Sequence, residues 1–220
     1  MKCLLCEKEQ INRIKLTNII IFKKEYPSVC KKCFSQFTKL SERHCLTCFK
    51  EGISGTCEDC HRWKEEGSNP SHQSLYRYNE AMKYFFSRYK FEGDYLLRKV
   101  FSKKIKQFLN QYNSYTIVPV PTSKERFSQR QFNQVIGFLD DARVIYQDIL
   151  IKKDGVAQSK KSKNERLKVV KSFEIKINTK IPQKILLVDD VYTTGSTILS
   201  IQKLLYQKGA KEVISFSLAR

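Results

Sequence analysis

The sequence predicts an α/β fold, a mostly parallel sheet with helices on both faces, preceded by a small cysteine-rich module. Three observations carry that expectation. Residues 185–188 are four consecutive apolar side chains, Ile185, Leu186, Leu187 and Val188, the pattern of a strand buried on both faces inside a parallel sheet. Directly after them come Asp189 and Asp190, a hydroxyl-rich loop around Gly195, and a helix whose Ile198, Ile201, Leu204 and Leu205 follow helical spacing. All eight cysteines, finally, lie before residue 61 in four Cys-x-x-Cys pairs.

Those pairs are Cys3/Cys6, Cys30/Cys33, Cys45/Cys48 and Cys57/Cys60. One such pair can place both thiolates on a tetrahedral ion, and two pairs complete a four-sulfur site. Eight thiols therefore match two structural Zn²⁺ sites, a double zinc ribbon. The short spacer from Cys48 to Cys57 groups Cys45, Cys48, Cys57 and Cys60 together. The other site would use Cys3, Cys6, Cys30 and Cys33, with a strand-like stretch at 16–22 between its halves; an interleaved pairing stays open. A redox role would want one pair beside a βαβ unit, and disulfides do not persist in a reducing compartment. So few apolar residues accompany the thiols that the module needs its metals to fold. We place it at residues 1–66, a polar, turn-forming hinge at 67–75, and the α/β domain at 76–220.

Within that domain, apolar residues at 78, 81, 82, 85, 86 and 89 form a helical stripe. It breaks at 91–94, where Asp94 is expected to cap a second helix with Leu97, Val100, Phe101, Ile105 and Phe108 turned inward. Arg88 and Lys90 stand at the break and are candidates for ligand or DNA contact. Residues 115–121 read as a strand feeding a rigid Pro119–Pro121 turn. A basic loop follows with Lys124, Arg126 and Arg130, then a helix from Phe132 with Val135, Ile136 and Leu139 apolar. Residues 152–180 carry a net charge of +7. The Asp154-Gly155 turn signal and the absence of apolar residues from 159 to 164 make this a flap before a short helix at 165–170. Lys160, Lys161, Lys163 and Arg166 are its candidate ligand or DNA contacts. After Gly209, residues 211–220 alternate like a strand and are expected to join the sheet beside 185–188.

The stretch after Val188 has a chemical logic. A helix start offers backbone N–H groups and a positive dipole end to phosphate. Gly195 permits close backbone approach, and Thr193, Thr194, Ser196 and Thr197 add hydroxyl donors. Asp189 and Asp190 suit a vicinal diol, so the pair beside a phosphate loop points to a phosphorylated sugar. The pattern resembles the phosphoribosyl pyrophosphate (PRPP) motif of type I phosphoribosyltransferases. That resemblance implies the ribose hydroxyls on Asp189 and Asp190 and the 5-phosphate on residues 193–197. It also implies a pyrophosphate loop at Lys124, Arg126 and Arg130, with Mg²⁺ accompanying PRPP.

The wider constellation is Val118-Pro119-Val120-Pro121, Arg130, Phe132, Asn133 and Gln134, Gln158, Glu165-Arg166 and the PRPP motif, behind a cysteine-rich ribbon. It resembles the ComF family. The family usually has a glycine where this chain has Gln131, so the tight turn there is expected to be altered; Val169 stands where the family commonly shows asparagine. The resemblance implies a natural-transformation role, handling incoming single-stranded DNA in the cytosol beside a helicase-like ComF partner.

Composition is compatible with this. Against 22 acidic residues the chain has 41 basic ones, a net +19, which favours polyanionic partners. No apolar run approaches the ~20 residues of a membrane span. The first residues are too soon charged for a signal peptide, so a cytoplasmic location is expected. Two other functions stay open: a phosphoribosyltransferase acting on a nucleobase or other nitrogen acceptor, and a zinc adaptor for the helicase-like partner with a vestigial PRPP site. Turnover, the acceptor and the place of DNA, on ribbon or flap, are not readable from sequence.

Overall fold

The computed structural model describes residues 2–10, 28–153 and 172–220. The strand expected at 16–22 lies outside them, as do the Asp154-Gly155 turn, Lys160, Lys161, Lys163, Arg166 and the helix at 165–170. Two short helices belong to the cysteine-rich part, α1 (Lys31–Phe34) and α2 (Glu58–Glu65). Then come β1 (His72–Tyr76), α3 (Glu80–Phe91), a 3₁₀ turn (Tyr95–Lys99), α4 (Ser102–Leu109) and β2 (Thr116–Pro119). The chain continues through α5 (Lys124–Arg130), α6 (Gln134–Asp141), β3 (Leu150–Lys152), β4 (Phe173–Ile175), β5 (Lys184–Val191), α7 (Ser196–Gln207) and β6 (Glu212–Ala219).

Four strands form one wholly parallel sheet in the order β1-β6-β5-β2, while β3 and β4 make a separate antiparallel pair. The expected strands at 185–188 and 211–220 are neighbours, with Ile185 opposite Val213 and Val188 opposite Phe216. Successive strand residues face opposite sides of a sheet, and the two cores divide accordingly. Leu186, Val188, Phe216 and Leu218 pack with α3, α4 and α6 through Met82, Phe85, Ile105 and Phe138. Ile185, Leu187 and Val213 pack on the other face with Ile198, Ile201 and Leu205 of α7. The cysteine module straddles both: Cys3, Val29 and Phe37 join the first core, and Cys45, Cys48, Cys57 and Cys60 the second.

Several local expectations are corrected. β1 occupies part of the stretch read as a hinge. The first helix starts at Glu80 because Asn79 caps it, its side chain accepting from Met82 N at 3.0 Å. Asp94 makes no cap bond; its carboxylate pairs with Arg88, and the expected second helix splits into the 3₁₀ turn and α4. The basic loop after Pro121 is mostly helix α5, because Ser123 Oγ caps it by accepting from Arg126 N at 3.3 Å. The next helix begins at Gln134, where Asn133 Oδ1 accepts from the backbone N–H groups of Val135 and Ile136.

At Gln131 the chain makes a tight turn. Gln131 ends α5 at φ 63°, the left-handed conformation glycine adopts without penalty. Gln131→Gly is therefore expected to stabilise the protein by about 0.5–1 kcal/mol. In a thermal melt that is a rise of about 1–4 °C; a lower midpoint would mean that contacts of the glutamine side chain outweigh the relieved backbone.

Candidate functional site

The site forms where β5 gives way to α7, at the carboxyl end of the sheet, the place where open α/β sheets hold ligands. Asp189 is half-buried and Asp190 buried. Asp190 N donates to Asp189 Oδ1 at 2.8 Å, and Lys90 Nζ pairs with Asp190 Oδ2 at 2.7 Å while lying 4.3 Å from the centre of the Phe86 ring. Lys90 thus reaches this end of β5. Arg88 does not: it binds Asp94 and donates to Leu5 O at 3.2 Å, fastening the first cysteine cluster to α3.

Gly195 caps α7 at φ 85°, and Leu199 N donates to its carbonyl at 2.9 Å. Thr194 Oγ1 and Ser196 Oγ lie 3.2 Å apart. The exposed Thr193 and Thr194, with the half-buried Ser196 and Thr197, put four hydroxyls around the positive end of the α7 dipole. On the facing side, Arg130 Nη1 donates to Gln134 Oε1 at 3.1 Å and its guanidinium lies 5.3 Å from the centre of the Phe91 ring. Burial and repulsion from Arg126 hold Arg130 below the usual arginine range, with Asp190 opposing. Lys152, read from sequence only as part of the flap's charge, belongs to this set: burial and Arg126 lower its pKa and Asp189 raises it. Lys124, on α5, lines an adjoining cavity of about 480 Å³ with Pro121, Thr122, Phe127, Asn133 and Lys152.

Burial and the charge of Asp190 push Asp189 up to about 7, against the pull of the Asp190 N–H, Lys90 and Lys152. The native protein then holds a proton that an unfolded aspartate, near 3.8, has already lost. Stability falls as pH rises through that window, because the native state binds the extra proton there. Asp189→Asn is expected to flatten this part of a plot of urea midpoint against pH, and to be more stable than wild type at about pH 8. A variant keeping the wild-type slope would locate the titration elsewhere.

Both cysteine groups come together in the simple pairing, Cys3, Cys6, Cys30 and Cys33 in one and Cys45, Cys48, Cys57 and Cys60 in the other, with ligand atoms within 4.8 Å of each other. A tetrahedron of Zn–S bonds near 2.3 Å has sulfur–sulfur edges of about 3.8 Å. Cys6–Cys30 and Cys45–Cys60 are 3.9 Å apart and Cys48–Cys57 3.6 Å, so the donors fit the ion. Burial opposes ionisation of Cys3 and Cys45, yet backbone N–H donors, from Cys30 and Cys57 among others, bring both thiols down to about 6. His44 and His61 belong to neither group; His44 stacks on Phe49.

Two residues missed in the sequence, Trp63 and Arg220, hold the loop before α7. Trp63 Nε1 donates to Thr194 O at 3.1 Å, Arg220 Nη1 to Thr193 O at 3.0 Å, and the Tyr192 ring stacks on His72 at 3.9 Å. No local pattern marks them, since each acts across a large sequence separation.

Residues 96–220 match the phosphoribosyl transferase domain family. Along 220 residues, all of both chains, the sequence is 43% identical to the competence protein ComFC of Streptococcus pneumoniae. It is 31% identical over 227 residues to ComFC of Bacillus subtilis, covering 99% of this chain and 94% of that one. A hypoxanthine phosphoribosyltransferase from Staphylococcus aureus is similar at 18% identity over 54% of this chain and 61% of that one, with a TM-score of 0.33.

Proposed function

We propose that this chain, which belongs to the ComFC family of competence proteins and carries a phosphoribosyl transferase domain, binds PRPP and handles incoming single-stranded DNA in the cytosol during natural transformation. The observation that carries the PRPP reading is the Asp189–Asp190 pair at the end of β5 beside the Gly195 loop of α7. In this reading the aspartates accept hydrogen bonds from the ribose hydroxyls, with Lys90 holding Asp190 in place. Residues 193–197 surround the 5-phosphate, and Arg126, Arg130 and Lys152 neutralise pyrophosphate. Mg²⁺ would enter with PRPP to offset its charge. Zn²⁺ is structural in both cysteine groups, and a helicase-like ComF protein is the expected partner.

Calorimetry with PRPP and Mg²⁺ tests the site. Wild type is expected to bind, and Asp189→Ala/Asp190→Ala to lose at least 100-fold in affinity, the loss of two charge-assisted contacts of about 1.5–3 kcal/mol each. A folded wild type without affinity would leave the zinc adaptor with a vestigial site. For DNA, the support is the +19 charge and the family. Affinity for a labelled single-stranded oligonucleotide should fall with salt by about 0.7 log units per log unit for each phosphate contact. Alanine at Lys160, Lys161 and Lys163 should flatten that slope; an unchanged slope moves the contact to the ribbon.

One observation favours a transferase as a second reading: the cavity beside Lys152 is large enough for a small acceptor. Pyrophosphate release with a panel of nucleobases separates it from a binding-only role.

A further inference from the structure

We propose that the second cysteine cluster is a clamp that sets the phosphate loop, with Trp63 and Arg220 as positioning residues, so that zinc at this cluster and phosphosugar at the loop reinforce one another. The clamp rests on contacts around the loop, and its coupling to ligand rests on the PRPP reading above.

Arg220 touches both parts at once. Its Nη2 lies 3.1 Å from Cys48 Sγ, its Nη1 donates to Thr193 O at 3.0 Å, and its guanidinium sits 4.5 Å from the centre of the Tyr192 ring. Tyr192 is thereby in contact with both Arg220 and His72. Trp63, on the helix that carries Cys60, donates to Thr194 O at 3.1 Å. From the same knuckle, Thr47 O accepts from His72 N at 2.9 Å.

The two carbonyls matter because they are consecutive and immediately precede Gly195. In a planar trans peptide the C=O and the following N–H point in opposite directions. Drawing Thr193 O and Thr194 O toward the cysteine cluster therefore turns the N–H groups of Thr194 and Gly195 to the other side of the loop. Oriented N–H groups of this kind are what binds an anion. Arg220 also has an electrostatic reason to stay: four thiolates on one divalent ion leave excess negative charge, which the guanidinium faces. The first cluster makes no comparable contact among the described residues. It reaches the domain through Arg88 on Leu5 O and Ser28 on Lys99 O, away from the loop.

The test uses the full-length zinc-loaded protein. Without ligand, Arg220→Gln and Trp63→Phe should each speed amide hydrogen exchange at Tyr192 and Leu199, whose N–H groups flank the loop and donate to Ala219 O and Gly195 O, at least fivefold, with the far-ultraviolet circular dichroism unchanged. Arg220→Lys should behave like Arg220→Gln, because one ammonium cannot span a thiolate and a carbonyl as the guanidinium fork does. With PRPP and Mg²⁺ as probe, each variant should bind at least fivefold more weakly. By reciprocity, PRPP should raise the affinity of one of the two zinc ions, measured by equilibrium competition with a chelator, by a similar factor. Trp63 is the sole tryptophan, so its fluorescence reads the clamp directly as that zinc leaves. Unchanged exchange in the variants overturns the clamp. Normal PRPP binding by the variants with unchanged zinc affinity overturns the coupling. A wild type that ignores PRPP sinks the proposed function instead, and the exchange measurement still decides the clamp.

Discussion

Phe101→Ala is expected to destabilise the protein by about 3–5 kcal/mol, the usual cost of removing a large aromatic ring from a core, and to loosen the group of Cys3, Cys6, Cys30 and Cys33 with it. Phe101 is fully buried and meets four other rings: Phe37 at 4.8 Å, Phe85 at 5.0 Å, Tyr76 at 5.1 Å and Phe34 at 5.9 Å. These rings come from different parts of the chain. Phe34 ends α1 and Phe37 follows it, within the cysteine module, while Tyr76 is on β1 and Phe85 on α3. Such contacts contribute about 0.5–1.5 kcal/mol per ring pair beyond burial. The cavity left by alanine would thus open between the module and the α/β domain. Urea unfolding should give the loss in stability, and a colorimetric chelator should remove one of the two zinc ions proposed above more readily than from wild type. A loss below about 1 kcal/mol would mean that the site collapses around alanine and that the rings do not fasten the module.

What the sequence discloses follows from which forces leave local patterns. β5 and α7 are legible because each has its own apolar signature, a buried run and a helical stripe, whereas the cysteine spacings leave two groupings and the fold brings together one. β1 is not, because two of its three buried residues are polar. His72 and Ser74 are buried, yet His72 bonds Ser215, Ser74 and Ser217 at 2.8–3.0 Å, so the polar groups are satisfied across the sheet and no hydrophobic alternation is needed. α5 hides for another reason: none of its residues is buried, and its start depends on the Ser123 cap. The site divides in the same way. Its acidic and hydroxyl residues are contiguous, whereas Trp63 and Arg220 meet the loop and cluster over separations of 131 and 172 residues. Only the fold brings them there.

Gly195→Ala is expected to abolish the phosphate binding proposed for this loop while leaving the sheet intact. Two independent constraints act on this position. At φ 85° an L-residue is strained by about 1–2 kcal/mol. A Cβ there would also stand 2.7 Å from Tyr192 Cζ and still closer to the hydroxyl, inside any tolerable contact. The ring is held in place, with His72 stacked on it at 3.9 Å and the Arg220 guanidinium 4.5 Å from its centre. The backbone must move instead, and a displacement near 1 Å in a positioned binding loop is enough to lose about 100-fold. Calorimetry with PRPP and Mg²⁺ measures that loss. The double variant Gly195→Ala/Tyr192→Ala separates the two constraints, because it removes the clash and keeps the backbone strain. Affinity partly regained in the double variant, relative to Tyr192→Ala alone, would assign the effect to the ring; none regained would assign it to φ. Wild-type affinity in Gly195→Ala would refute the role given to this loop.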